Sequence, residues 1–184
     1  MQHRAAQGIC GYRASIPGCR ALQPERLVVL LGLSPGVLHS VLCAWRRVLS
    51  KDARVVLVAT RRDVAKRAVE LASKCPCPGL DAPPLRDESI VETFILERGD
   101  VDSLEALEEL RSLLGSLGLG TRDAVDVTGG RKLASVAAAI YASSHGALVG
   151  YTLIPSEEYQ RIARSGGRGC GEETVRTEPR LITL

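Results

Sequence analysis

Residues 123–141 read DAVDVTGGRKLASVAAAIY, and this stretch decides the fold. An apolar strand, Ala124–Val127, runs into Thr128-Gly129-Gly130-Arg131-Lys132, and an alanine-rich helix follows at once. A strand that ends in a glycine pair and opens a helix gathers free backbone N–H groups at one point. Such a point attracts anions, phosphate above all. The first turn of a helix favours acidic side chains because the dipole is positive there, yet Arg131 and Lys132 occupy it. Two cations at that end fit an external anion seated between them.

Outward from this turn, strands and helices alternate. Arg26–Leu33 (RLVVLLGL) is a continuous apolar run, the mark of a central parallel strand covered on both faces. Ser34-Pro35-Gly36 opens a helix to about Leu49, with Val37, Leu38, Val41, Leu42, Trp45, Val48 and Leu49 at helical spacing. Arg54–Ala59 and Thr60–Lys74 form the next strand and helix, and Cys75–Arg86 an irregular loop rich in proline. Ser89–Glu97 alternates as a strand near a sheet edge does, and Asp102–Leu117 carries a leucine stripe. Lys132–Ser144 and Ala147–Ile154 complete the series. The pattern predicts an α/β fold, a mostly parallel sheet of five to six strands in the order 3-2-1-4-5 with helices on both faces. Residues 26–154 then form the domain and 1–25 a leader that is weakly ordered or loosely docked. Residues 155–184 form an appendage with a short helix (Ser156–Arg164), a glycine-rich loop and a last strand around Leu181–Leu184.

The helix starts differ. Thr60-Arg61-Arg62-Asp63 and Asp102-Ser103-Leu104-Glu105 read as capping boxes, so both ends are internally satisfied. Ser34-Pro35-Gly36-Val37 has no acid in its first turn, and the turn at Thr128–Lys132 has cations instead. In the 3-2-1-4-5 order these two open ends belong to neighbouring strands at the point where winding reverses, the crevice where doubly wound folds bind ligands. Each feature also has a structural reading of its own. Ser-Pro is a good helix start, a glycine pair suits a tight turn, and paired cations suit a solvated face. Coincidence at one switch point favours a ligand site. Arg61 is a candidate for its rim, while His39 and His145 read as packing or surface residues.

Composition narrows the partners. A net charge of +3 over 184 residues is too mild to argue for duplex DNA or RNA. The six cysteines are irregularly spaced, and Cys75-Pro76-Cys77 is not a zinc-type pair, which predicts free thiols in a reducing cytoplasm and no metal site. No basic start with an apolar run reads as a signal peptide, and no segment is apolar for the ~18 residues a membrane span needs. The fingerprints of triphosphate and dinucleotide loops are missing, and Thr60 stands where a ribose-binding acid would close strand two. Asp126 is a single acid that can face the crevice, too few for Mg²⁺. A metal-independent phosphate binder without a cofactor remains.

The strand–TGGRK–helix element, Asp126–Lys132, together with the Leu33-Ser34-Pro35-Gly36 turn, resembles the CARF domain, the CRISPR-associated Rossmann fold. The resemblance spans roughly Leu27–Ile154. It implies a cytoplasmic homodimer that binds a cyclic oligoadenylate, often cyclic tetra-adenylate, across its two-fold axis. Neither His39 nor His145 follows an arginine at the spacing of the HEPN ribonuclease effector, and no winged helix is present. The resemblance therefore points to a stand-alone ring nuclease that ends antiviral signalling by cutting the messenger to linear di-adenylate with a 2′,3′-cyclic phosphate. It assigns Lys132 and Ser34 as the catalytic pair, and Leu33, Pro35, Gly36, Thr128, Gly129, Gly130 and Arg131 as ligand-binding positions. A CARF sensor or sink that binds without cutting, and a generic nucleotide-binding α/β domain, are the alternatives.

Overall fold

In the computed structural model, which describes residues 23–98, 103–164 and 169–184, one six-stranded sheet runs in the order β3-β2-β1-β4-β5-β6. Its strands are β1 (Arg26–Leu31), β2 (Arg54–Ala59), β3 (Val91–Ile95), β4 (Asp123–Gly129), β5 (Leu148–Leu153) and β6 (Arg180–Thr183). The first five pair in parallel, and β6 returns antiparallel along β5 as the last strand of the tail. β3 takes the edge that its alternating pattern predicted. The leader lies almost wholly outside the described residues.

The α-helices are α1 (Gly36–Trp45), α2 (Arg62–Lys74), α3 (Leu104–Leu117), α4 (Lys132–Ser144), α5 (Ser156–Arg164) and α6 (Cys170–Glu173). Alternate side chains of each strand feed two cores, as strand geometry requires. On one face Leu27, Val29, Leu31, Val55 and Leu57 pack with Val37, Val41 and Trp45 of α1. On the other, Val28, Leu30, Val56, Val125 and Val127 pack with Leu110 and Leu114 of α3 and Ala138 and Ala142 of α4. The small residues of α4 let it lie close to the sheet.

Two expectations are corrected. The cysteines do not stand as free thiols: Cys43 bonds to Cys77 and Cys75 to Cys170, with Cα–Cα separations of 5.6 and 5.4 Å. Packing of α1 beside α2 brings Cys43 to the Cys75–Cys77 loop, a proximity that chain spacing does not encode. Cys10 and Cys19 lie outside the described residues. Nor does Thr60 cap α2. The helix starts one residue later, with Arg61 in the cap position, and the Thr60 hydroxyl is buried without a partner among the described residues. At α3 the cap is Ser103, whose hydroxyl accepts from the Ala106 N–H at 3.2 Å.

Among the described residues no helix is long and apolar enough to cross a membrane.

Candidate functional site

β1 and β4 lie side by side, with Leu31 in register with Gly129, so the turns that follow them meet. The Gly32 N–H donates to the Gly129 carbonyl at 2.7 Å and ties the two turns together. The approach is close enough to require glycine. A Cβ at Gly129 would sit 2.4 Å from the Leu30 carbonyl oxygen. Ser135, in the first turn of α4, donates its hydroxyl to the Val127 carbonyl at 2.8 Å and fixes the helix start against the strand.

The resulting helix end is open. Arg131 holds the cap position of α4 with no side-chain bond, and the first turn contains no acid. Arg131 and Lys132 are both exposed, and neither pairs with a carboxylate among the described residues. Across from them α1 begins at Gly36, with Pro35 in the cap position and no capping side chain. Ser34 accepts from the Val37 N–H through its carbonyl at 3.2 Å, while its half-buried hydroxyl has no partner among the described residues. Leu33 beside it is 57% exposed. The turns after β1 and β4 thus bring two cations without a carboxylate partner among the described residues, a serine hydroxyl and an uncapped helix start to one end of the sheet.

Other expected site residues have different duties. Thr128 is bound into the sheet: its hydroxyl accepts from the Thr152 N–H at 2.6 Å, and its own N–H donates to Asp126 at 3.0 Å. Asp126 does not face the crevice. It is wholly buried on the α1 side, where Oδ2 accepts from Trp45 Nε1 and from the Thr152 hydroxyl, each at 2.7 Å. Burial pushes its carboxyl up, against the pull of the bonds from Trp45, Thr128 and Thr152. Gly36 is buried, and a Cβ there would lie 1.8 Å from the Glu173 carbonyl oxygen of α6. Arg61 forms a two-pronged pair with Asp63, at 3.0 and 2.6 Å. Gly130 lines a small cavity of about 30 Å³ behind the turn, with Gly32, Thr60, Ser103, Leu107 and Arg131. The unpartnered Thr60 hydroxyl in that cavity escaped the sequence reading, because Thr60 looked like a cap.

His39 is buried, its Nε2–H shared between the carbonyls of Cys75 (3.1 Å) and Pro76 (3.2 Å). Burial pushes its imidazole below the ordinary range, opposed by those two bonds. His145 stacks on Tyr141 at the exposed end of α4, with ring centroids 4.2 Å apart.

Over 142 residues the chain is 32% identical to the CRISPR system ring nuclease SSO2081 of Saccharolobus solfataricus, covering 76% of each protein. The chain belongs to the CRISPR ring nuclease family. No protein-family model matches it. The open turns after β1 and β4 are the candidate functional site.

Proposed function

We propose that the protein binds a cyclic oligoadenylate, cyclic tetra-adenylate above all, at the paired turns after β1 and β4. It cuts the ring without a metal ion to linear di-adenylate ending in a 2′,3′-cyclic phosphate. The observation that carries this reading is the Arg131–Lys132 pair at the uncapped start of α4, without a carboxylate partner among the described residues and in the turn next to Ser34. An RNA-type phosphodiester contains its own nucleophile. In-line attack of the neighbouring 2′-OH on phosphorus expels the 5′-oxygen, so the protein needs only to hold that line and stabilise the phosphorane charge. Lys132 faces the developing charge, with Arg131 and the helix N–H groups supporting it, and Ser34 hydrogen-bonds the ribose or the scissile phosphate. Asp126, the acid of β4, is bonded to Trp45 and Thr152 and takes no part.

A second copy completes the site. Leu133, Val136 and Ile140 form an exposed stripe on α4, and Tyr151, Leu153 and Ile182 are exposed on β5 and β6. Val149 packs in the α4-side core and Tyr151 pairs with Ile182, so the strand residues lie on the same side of the sheet as α4. An apolar face of this kind, starting at the active turn, supports a homodimer whose two-fold axis brings two copies of Lys132 to a two-fold symmetric ring. Its cleavage in both halves yields two di-adenylates and ends the CRISPR antiviral signal in the cytoplasm.

The test is incubation with labelled cyclic tetra-adenylate in excess EDTA, followed by chromatography. Di-adenylate bearing a cyclic phosphate is expected. A bound but intact ring would make the protein a sensor or sink, and no binding of rings of four or six adenylates would contradict the reading.

A further inference from the structure

The two disulfides are unequal. Cys43 and Cys77 are each 2% exposed, so both ends of that bond are sealed in the core. Cys75 is 1% exposed, but Cys170, the first residue of α6, is exposed. Thiol–disulfide exchange requires a thiolate to reach one sulfur of the bond, so access separates the two. The Cys75–Cys170 bond also closes the longer loop, with a sequence separation of 95 against 34.

This accessible bond holds an element that touches the candidate active turn. α6 is one turn long and has no stability of its own. It is held by Arg67 of α2, which forms an ion pair with Glu173, and by Arg161 of α5, which donates to the carbonyls of Glu172 and Thr174 at 2.8 and 2.6 Å. Through Cys170 it is tied covalently to the end of α2. Its Glu173 carbonyl covers Gly36, the first residue of α1, two positions beyond Ser34. A continuous path of bonds and contacts therefore runs from Cys170 to the Ser34–Gly36 turn.

We propose that Cys75–Cys170 is a thiol-exchange site through which a dithiol reductant controls the order of the Ser34–Gly36 turn. A thiolate of the reductant attacks Cys170 Sγ, the Cys75–Cys170 bond breaks, and Cys75 leaves as a thiolate that takes a proton as the loop opens. The second thiolate of the reductant attacks its own sulfur in the mixed disulfide and releases Cys170. The reductant ends oxidised to a disulfide, and the protein gains two thiols and loses the covalent tie on α6. The buried Cys43–Cys77 bond stays closed and keeps α1 on the Cys75–Cys77 loop. The consequence for ring cleavage rests on the function proposed above; the exchange and the loosening do not.

The test is graded treatment of the folded protein with a dithiol, alkylation of exposed thiols, and peptide mapping, with amide hydrogen exchange measured in parallel. Cys75 and Cys170 are expected to be alkylated at reductant levels that leave Cys43 and Cys77 protected. Exchange at Val37 and Leu38 should rise at least tenfold. The Cys75→Ser/Cys170→Ser variant should show the loosened turn without reductant and no further response to it. Equal reduction of both bonds, or unchanged exchange at Val37 and Leu38 in the reduced protein, would overturn the proposal. A turn that loosens in a protein that cleaves no ring in either redox state would support this site and overturn the function proposed above.

Discussion

Among the described residues, both ends of β1 and β4 carry cations, but only the amino ends pair them with acids. At the amino ends, Arg26 reaches Asp123 through two bonds of 2.9 and 2.8 Å, and Asp123 also accepts from the Gly120 N–H at 2.7 Å. Arg122 pairs with Glu25 beside them at 2.9 Å. At the carboxyl ends, Arg131 and Lys132 have no acid among the described residues, and the helix they open is uncapped. The amino end lines an open groove of about 840 Å³, far larger than the cavity behind the Gly129–Lys132 turn. The larger space is not the better site. Arg26 and Asp123, and Arg122 and Glu25, are already paired there, whereas a phosphate at the carboxyl end would meet cations without a carboxylate partner among the described residues.

Lys132→Glu gives the first turn of α4 the acid that a helix start prefers. Ring cleavage should fall on the order of 10²–10³-fold, the scale for removing a main stabiliser of transition-state charge. Measured turnover near that of the parent would remove Lys132 from the mechanism. Gly129→Ala forces a Cβ to 2.4 Å from the Leu30 carbonyl and must push the two turns apart. It should cost about 1–3 kcal/mol in urea unfolding, together with most of the activity. At the other end, Asp123→Asn weakens the bonds to Arg26 and should lower stability by about 2 kcal/mol while leaving cleavage near normal.

The pair between Arg67 and Glu173 gives a pH signature. Arg67 holds the Glu173 carboxyl below its ordinary value of 4.5, so the folded form binds that proton less tightly than the unfolded form. Its stabilisation is therefore present above pH 4.5 and is lost as pH falls through the lower, folded value. The unfolding free energies of the parent and of Arg67→Gln should differ at neutral pH and converge on acidification. A gap that stays constant would detach Glu173 from this pair. The smallest expected effect belongs again to Lys132→Glu, which should raise stability by about 0.3–1 kcal/mol through the helix dipole even as cleavage falls.

Much of this was legible in the residues. The apolar runs of β1 and β2 and the glycine pair after β4 fixed the strand order and the switch point, since local pattern and connection rules carry that information. Long-range contacts were not legible. Nothing near Thr60 shows that α2 will start after it, leaving the hydroxyl in a cavity. The direction of Asp126 depends on Trp45 and Thr152, which lie 81 and 26 residues away. Gly36 reads as part of a ligand turn until Glu173, from the far end of the chain, is found on top of it. Cysteine spacing fails for the same reason, because α1, α2 and the tail meet only in the folded chain.

The most direct test of the central claim compares cations rather than folds. Filter binding of labelled cyclic tetra-adenylate should be measured for the parent, for Arg131→Ala/Lys132→Ala and for Arg122→Ala. Loss of two charge-assisted phosphate contacts of about 1.5 kcal/mol each predicts affinity weakened about 100-fold or more in the double variant. Arg122→Ala, which breaks an exposed pair at the opposite end, should bind as the parent does. Equal losses in both variants, or none in either, would contradict the account.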